Sequence, residues 1–102
     1  MDIVVSKNNV PIRLTAERWQ HITIGHPEVA PFYFEVLEAI QDPEEIYLGG
    51  TGEYLAVKIP LYDDKFLIAV YRETDETDGF VITAYISNKI NQLQRKTLIW
   101  KR

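Results

Sequence analysis

The chain has 102 residues, 46% of them apolar, and a formal net charge of −4, which suits one compact domain over residues 1–102 and leaves no room for a second. With no cysteine it can have no disulfide framework, thiolate nucleophile or cysteine zinc cluster, and a cytoplasmic location without membrane contact is expected because apolar runs such as 66–71 fall far below the ~20 residues of a spanning helix. The acidic balance argues against bulk attraction to nucleic acid.

The first predicted element is a hairpin, Ile3-Val4-Val5 and Val10-Pro11-Ile12 around the turn-prone pair Asn8-Asn9. Pro11 cannot donate a ladder hydrogen bond, so this hairpin belongs at a sheet edge. Thr15 then caps a short helix over 16–24, which Gly25 is expected to stop in a left-handed conformation. A second helix begins at Pro31, with Tyr33, Val36, Leu37 and Ile40 on one buried face, and ends at Asp42-Pro43.

The period then becomes alternating. Strands are predicted over 45–48, 53–59, 65–72 and 80–87, separated by the glycine-rich turn 49–52, the turn Tyr62-Asp63-Asp64 and the acidic loop 73–79. In the last of these strands Phe80, Ile82, Ala84 and Ile86 should meet the helices, leaving Val81, Thr83, Tyr85 and Ser87 on a more polar face. Segment 88–102 reads either as a loose helix (Ile90, Leu93, Thr97, Trp100) or as a strand over 97–100. It also carries Lys89, Arg95, Lys96, Lys101 and Arg102 with no acid, a net +5 against −9 for residues 1–88, so this basic C-terminal segment either touches phosphate or neutralises the acidic body. The expected fold is α+β, with two N-terminal helices packed on one face of a four- to five-stranded antiparallel sheet.

Both histidines, His21 and His26, lie in the run 13–28, which makes this the natural neighbourhood for proton transfer. Glu17, Arg18 and His21 share one helical strip, and a carboxylate beside an imidazole fixes its tautomer and favours its charged form. That trio is also what an ordinary surface cluster looks like. His26-Pro27-Glu28 forms a turn in which His26 either caps the helix or faces a ligand. The five-residue histidine spacing does not fit the zinc-hydrolase helix, so no metal and no cofactor are expected. Arg13, Lys58 and Arg72 are candidate phosphate-binding cations beside Thr83 and Tyr85. The glycines at 49–52 lack the lysine and helix of a nucleotide-binding loop.

The words Ile12-Arg13-Leu14-Thr15, Arg18-Trp19, His21-Ile22, His26-Pro27-Glu28, Gly52-Glu53-Tyr54-Leu55-Ala56 and 80–85 (Phe-Val-Ile-Thr-Ala-Tyr) resemble the phage-associated nuclease families of the barnase/EndoU/colicin/RelE group, more distantly BrnT and RelE-type toxins. The resemblance implies a helix-plus-sheet barnase/RelE-like fold and metal-independent endoribonuclease activity. His21 and His26 would be general acid and base, Arg13 or Arg72 the phosphate clamp, and Thr83 and Tyr85 the hydroxyl donors, with Arg18, Lys58 and Lys89 binding substrate. It also implies an RNA partner and a silencing protein inhibitor or antitoxin; a homodimer is compatible with it. The competing reading is a catalytically inactive protein- or nucleic-acid-binding module on the same scaffold.

Overall fold

The first hairpin turns at Asn9, whose φ of 62° lies in the left-handed region that asparagine tolerates. It joins β1 (Asp2–Val5) to β2 (Pro11–Leu14), antiparallel, with Pro11 as the first residue of its strand. Thr15 accepts a hydrogen bond from the Arg18 N–H at 3.1 Å and opens α1 (Ala16–Gly25). The expected left-handed stop at Gly25 does not occur: positive φ angles are found, among the described residues, at Asn9 and Gly52. Instead the His26 N–H donates to the Ile22 carbonyl at 2.7 Å and closes the helix. A 3-10 helix (Pro27–Phe32) leads into α2 (Tyr33–Gln41), which buries Val36, Leu37, Ala39 and Ile40.

An antiparallel meander follows, made of β3 (Glu45–Leu48), β4 (Tyr54–Tyr62), β5 (Lys65–Asp75) and β6 (Asp78–Ser87). The acidic segment expected as a loop over 73–79 is mostly strand, since β5 and β6 stay paired as far as Asp75↔Asp78. The ambiguous C-terminal segment contains both alternatives in turn, a short α3 (Ile90–Gln94) and then β7 (Thr97–Lys101). This computed structural model describes residues 1–62 and 64–102, and the side chains of all of these except 60–62. The turn expected at Tyr62-Asp63-Asp64 therefore falls partly outside the described residues.

The fold is α+β, but the sheet is neither four- to five-stranded nor purely antiparallel. Among the described residues, seven strands form one mixed sheet in the order β1-β2-β6-β5-β4-β3-β7. The expectation failed for two physical reasons. The N-terminal hairpin joins through a parallel pairing of β2 with β6 (Ile12↔Gly79, Arg13↔Phe80), a long-range contact that no local periodicity announces. At the other side, 97–101 adds a seventh strand antiparallel to β3. The sheet is strongly curled: Lys7, in the turn after β1, places its ammonium 5.0 Å from the centroid of the Trp100 ring on β7, at the far end of the strand order.

Both faces of the sheet are covered. On one, α2 lies against β5, β4 and β1, and Ile12, Leu14, Ala56, Leu67, Ala69, Tyr71, Val81 and Ala84 join the buried residues of α2. On the other, Leu55, Val57, Phe66, Ile68 and Val70 meet Leu93 of α3, with Ile82 and Tyr85 packed against them. The even-numbered inward set expected along β6 therefore holds only from Ala84 onward. A bulge sits at Ile82, because Val70 pairs with Thr83 while Tyr71 pairs with Val81. One extra residue reverses the parity on its N-terminal side, so Val81 is buried toward the helices and Ile82 packs on the opposite cluster. Among the described residues, no helix is long and apolar enough to cross a membrane.

Gly79 shows how tightly β2 meets β6. A Cβ there would lie 2.5 Å from Ile12 Cδ1 and 2.6 Å from the Arg72 carbonyl oxygen, and a backbone oxygen cannot move aside as a flexible side chain can. Gly79→Val should destabilise the protein by about 1–3 kcal/mol, read as a lower urea midpoint with the cooperative transition retained.

Candidate functional site

The parallel pairing of β2 with β6 ends at Arg13↔Phe80, since β2 gives way to the Thr15 cap. Beyond that point the same side of β6 is flanked by α1 and the 3-10 helix. A cleft of about 290 Å³ opens there. Arg18, His21, His26 and Thr83 line it, with Ile22 and Ile82 as its apolar wall. The two imidazoles and the Thr83 hydroxyl thus share one cavity. A further exposed hollow on the outer side of α1 is lined by Thr15, Glu17, Arg18 and His21, so His21 and Arg18 stand on the ridge between the two.

His26 is the more firmly placed of the two histidines. Its N–H donates to the Ile22 carbonyl at 2.7 Å, and its own carbonyl accepts from the Val29 N–H at 3.1 Å. Its ring lies 5.9 Å from the Tyr85 ring, tilted by 34°. Nδ1 faces the Glu28 carboxylate at 3.4 Å, an arrangement that leaves Nε2 available to a ligand. The carboxylate beside an imidazole is therefore Glu28 at His26; Glu17 and His21 share the outer hollow, but no hydrogen bond or ion pair joins them among the described residues.

The other sequence candidates divide sharply. Arg18 lines the cleft with its guanidinium unpaired among the described residues, and Lys89 lines an adjoining groove with Tyr85. Arg13 is engaged elsewhere, its Nη2 3.0 Å from Asp78 Oδ2 and its guanidinium carbon 5.6 Å from the Phe80 ring centroid. Arg72 donates to the Thr51 carbonyl at 2.9 Å and to the Thr51 hydroxyl at 3.3 Å, in the β3–β4 turn. Lys58 is ion-paired with Glu38 of α2. The cleft does not bring these three cations to the histidines. Lys96 of the basic C-terminal segment stands with Lys65 around Tyr85 and Ser87; sequence reasoning missed Lys65, which could have been found from the pairing of two long strands that sets its neighbour Phe66 opposite Ser87.

Among the described residues, no three histidine, aspartate or glutamate side chains converge as a metal site. Burial pushes the Tyr85 phenol above its ordinary pKa, so at neutral pH it is a hydrogen-bond donor. Compared with protein-family models, curated proteins and solved structures, the chain finds no match in any of the three.

Three more tyrosines are shifted the same way, Tyr71 and Tyr47 by burial first and Tyr33 to about 12 by burial and then by its hydrogen bond to Asp2. An unfolded tyrosine ionises near 10, so above that pH the unfolded chain sheds phenolic protons that the folded protein keeps. Stability from this source is complete below pH ~10 and is lost as the pH rises beyond it. Urea midpoints should be flat across mildly alkaline pH and then fall, and Tyr85→Phe should shallow the fall.

Proposed function

We propose that the protein is a metal-independent endoribonuclease that cleaves RNA by attack of the 2′-hydroxyl on the adjacent phosphate. The observation that carries this reading is the convergence of both of the chain's imidazoles with Thr83 along one cleft, one imidazole being braced by a carboxylate. No nucleophilic side chain is needed for such a reaction. It needs a base for the 2′-hydroxyl proton, an acid for the departing 5′-oxygen, and positive charge at the phosphate.

His26 takes the role of base. With Nδ1–H directed to Glu28, Nε2 accepts the 2′-hydroxyl proton, and the carboxylate stabilises the imidazolium that results. The P–O2′ bond forms, the P–O5′ bond breaks, and a 2′,3′-cyclic phosphate is left on one product. His21, unpaired beside Arg18 at the cleft rim, delivers its proton to the 5′-oxygen. Arg18 replaces Arg13 and Arg72 as the phosphate cation, since its planar fork is free to make two hydrogen bonds to two phosphate oxygens. Thr83 and the neutral Tyr85 phenol supply further donors. The absence of cysteine fits action in the cytoplasm.

Purified protein incubated with mixed-sequence RNA and excess chelator should release products ending in 2′,3′-cyclic phosphate. His26→Ala and His21→Ala should each slow cleavage by roughly 10²- to 10⁴-fold, the usual contribution of one acid–base group. Circular dichroism checks that both variants fold. Cleavage that persists at the wild-type rate in the double variant, or that disappears with chelator, would defeat this reading.

A further inference from the structure

The distribution of unsatisfied positive charge extends the site beyond the cleft. The chain is acidic overall, with fifteen acids against eleven lysines and arginines, so most cations would be expected to find a carboxylate. Several do: Arg13 holds Asp78, Lys58 holds Glu38, and Arg102 holds Asp42 and Glu44. Lys65, Lys89 and Lys96 do not, their ammonium groups making no hydrogen bond, ion pair or ring contact among the described residues. Lys65 comes from the start of β5 and Lys89 and Lys96 from either side of α3, and the three gather at one place.

That place is an open groove of about 510 Å³ where Lys65 and Lys89 flank Tyr85 and Ser87. A smaller recess of about 70 Å³ continues it and adds Lys96, with Tyr85, Ser87, Lys89 and Gln92 common to both. Tyr85 joins the groove to the histidine cleft, since its ring also lies against His26. Among the described residues, the single acid on the lining, Glu28, is the one that faces His26 Nδ1. The other described lining residues are neutral or basic, so this groove favours a polyanion although the chain as a whole is acidic.

We infer that the Lys65–Lys89–Lys96 groove is a subsite for the backbone phosphates of a single-stranded nucleic acid, flanking the phosphate held between His21 and His26. The choice of nucleic acid over other polyanions rests on the cleavage reading above and on the Tyr85 ring at the groove floor. Free lysines around an aromatic side chain form the usual platform for an unpaired strand, with ammonium groups following the phosphates while the ring meets a base. Ser87 and Gln92 add neutral donors, and the regular register from Thr83 to Tyr85 puts these two side chains on the same side of β6.

The test measures binding of a fluorescein-labelled single-stranded oligodeoxynucleotide, which lacks the 2′-hydroxyl and is not consumed, by anisotropy across a salt series. Each phosphate neutralised on a single strand contributes about 0.7 to the slope of log K against log salt, so Lys65→Gln/Lys89→Gln/Lys96→Gln should reduce that slope by about 2. Arg102→Gln, which removes a paired cation, should leave it unchanged. An unaltered slope in the triple variant overturns the inference, as does a poly-glutamate peptide that displaces the oligonucleotide at equal charge concentration. A wild-type protein that binds with this slope but leaves RNA intact removes the cleavage reading and keeps the groove; cleavage with no change of slope in the triple variant does the reverse.

Discussion

The short parallel contact between β2 and β6 is the constraint on which the remaining architecture depends. It has only two registered pairs, Ile12↔Gly79 and Arg13↔Phe80, and each net ladder hydrogen bond contributes about 0.5–1.5 kcal/mol. Burial of Ile12 and Leu14, both fully inaccessible, contributes about 1.5–3 kcal/mol for each side chain. Packing therefore outweighs the ladder, and Gly79 permits it by admitting Ile12 where any Cβ would collide. Because β2 stops after four residues, the rest of β6 faces helices on that side in place of a strand. The cleft exists because the pairing is brief.

The second layer makes this cleft firm. β5 runs through the centre of the sheet with Phe66, Ile68 and Val70 on one side and Leu67, Ala69 and Tyr71 on the other, all buried. α3 contributes Leu93 to the cluster opposite the long helices, and Tyr85 packs on that cluster while its ring lies against His26. One aromatic side chain thus belongs to both the core and the site. Its raised phenol pKa and its position have the same cause, the apolar surroundings that hold it.

Local chemistry was readable from the sequence. Asn9, the Thr15 cap, the buried face of α2 and the meander from β3 to β6 all lie where residue types and periods put them. The continuous apolar run 66–71 also carried a signal that alternation alone passes over, because a strand with no polar face is one covered on both sides. Three features had no local signature. The parallel pairing joins residues far apart in the chain, the Ile82 bulge changes parity without any glycine or proline to mark it, and β7 competes with helix in a segment that suits either. At the site, the sequence brought the histidines together by spacing, but the partners of Arg13, Lys58 and Arg72 are set by tertiary contacts that spacing does not encode.

The curl of the sheet has its own consequence for behaviour at high concentration. β1 and β7 are the outermost strands, and they expose Ile3, Val5, Leu98 and Ile99, side chains that on a long flat rim would invite strand-to-strand stacking of copies. Here the rims are four and five residues long and follow an arc, with Lys7 drawn across to Trp100. A neighbouring molecule approaching either rim meets backbone groups that curve away after a few residues. Short and bent edges are among the devices by which sheets discourage edge-to-edge pairing.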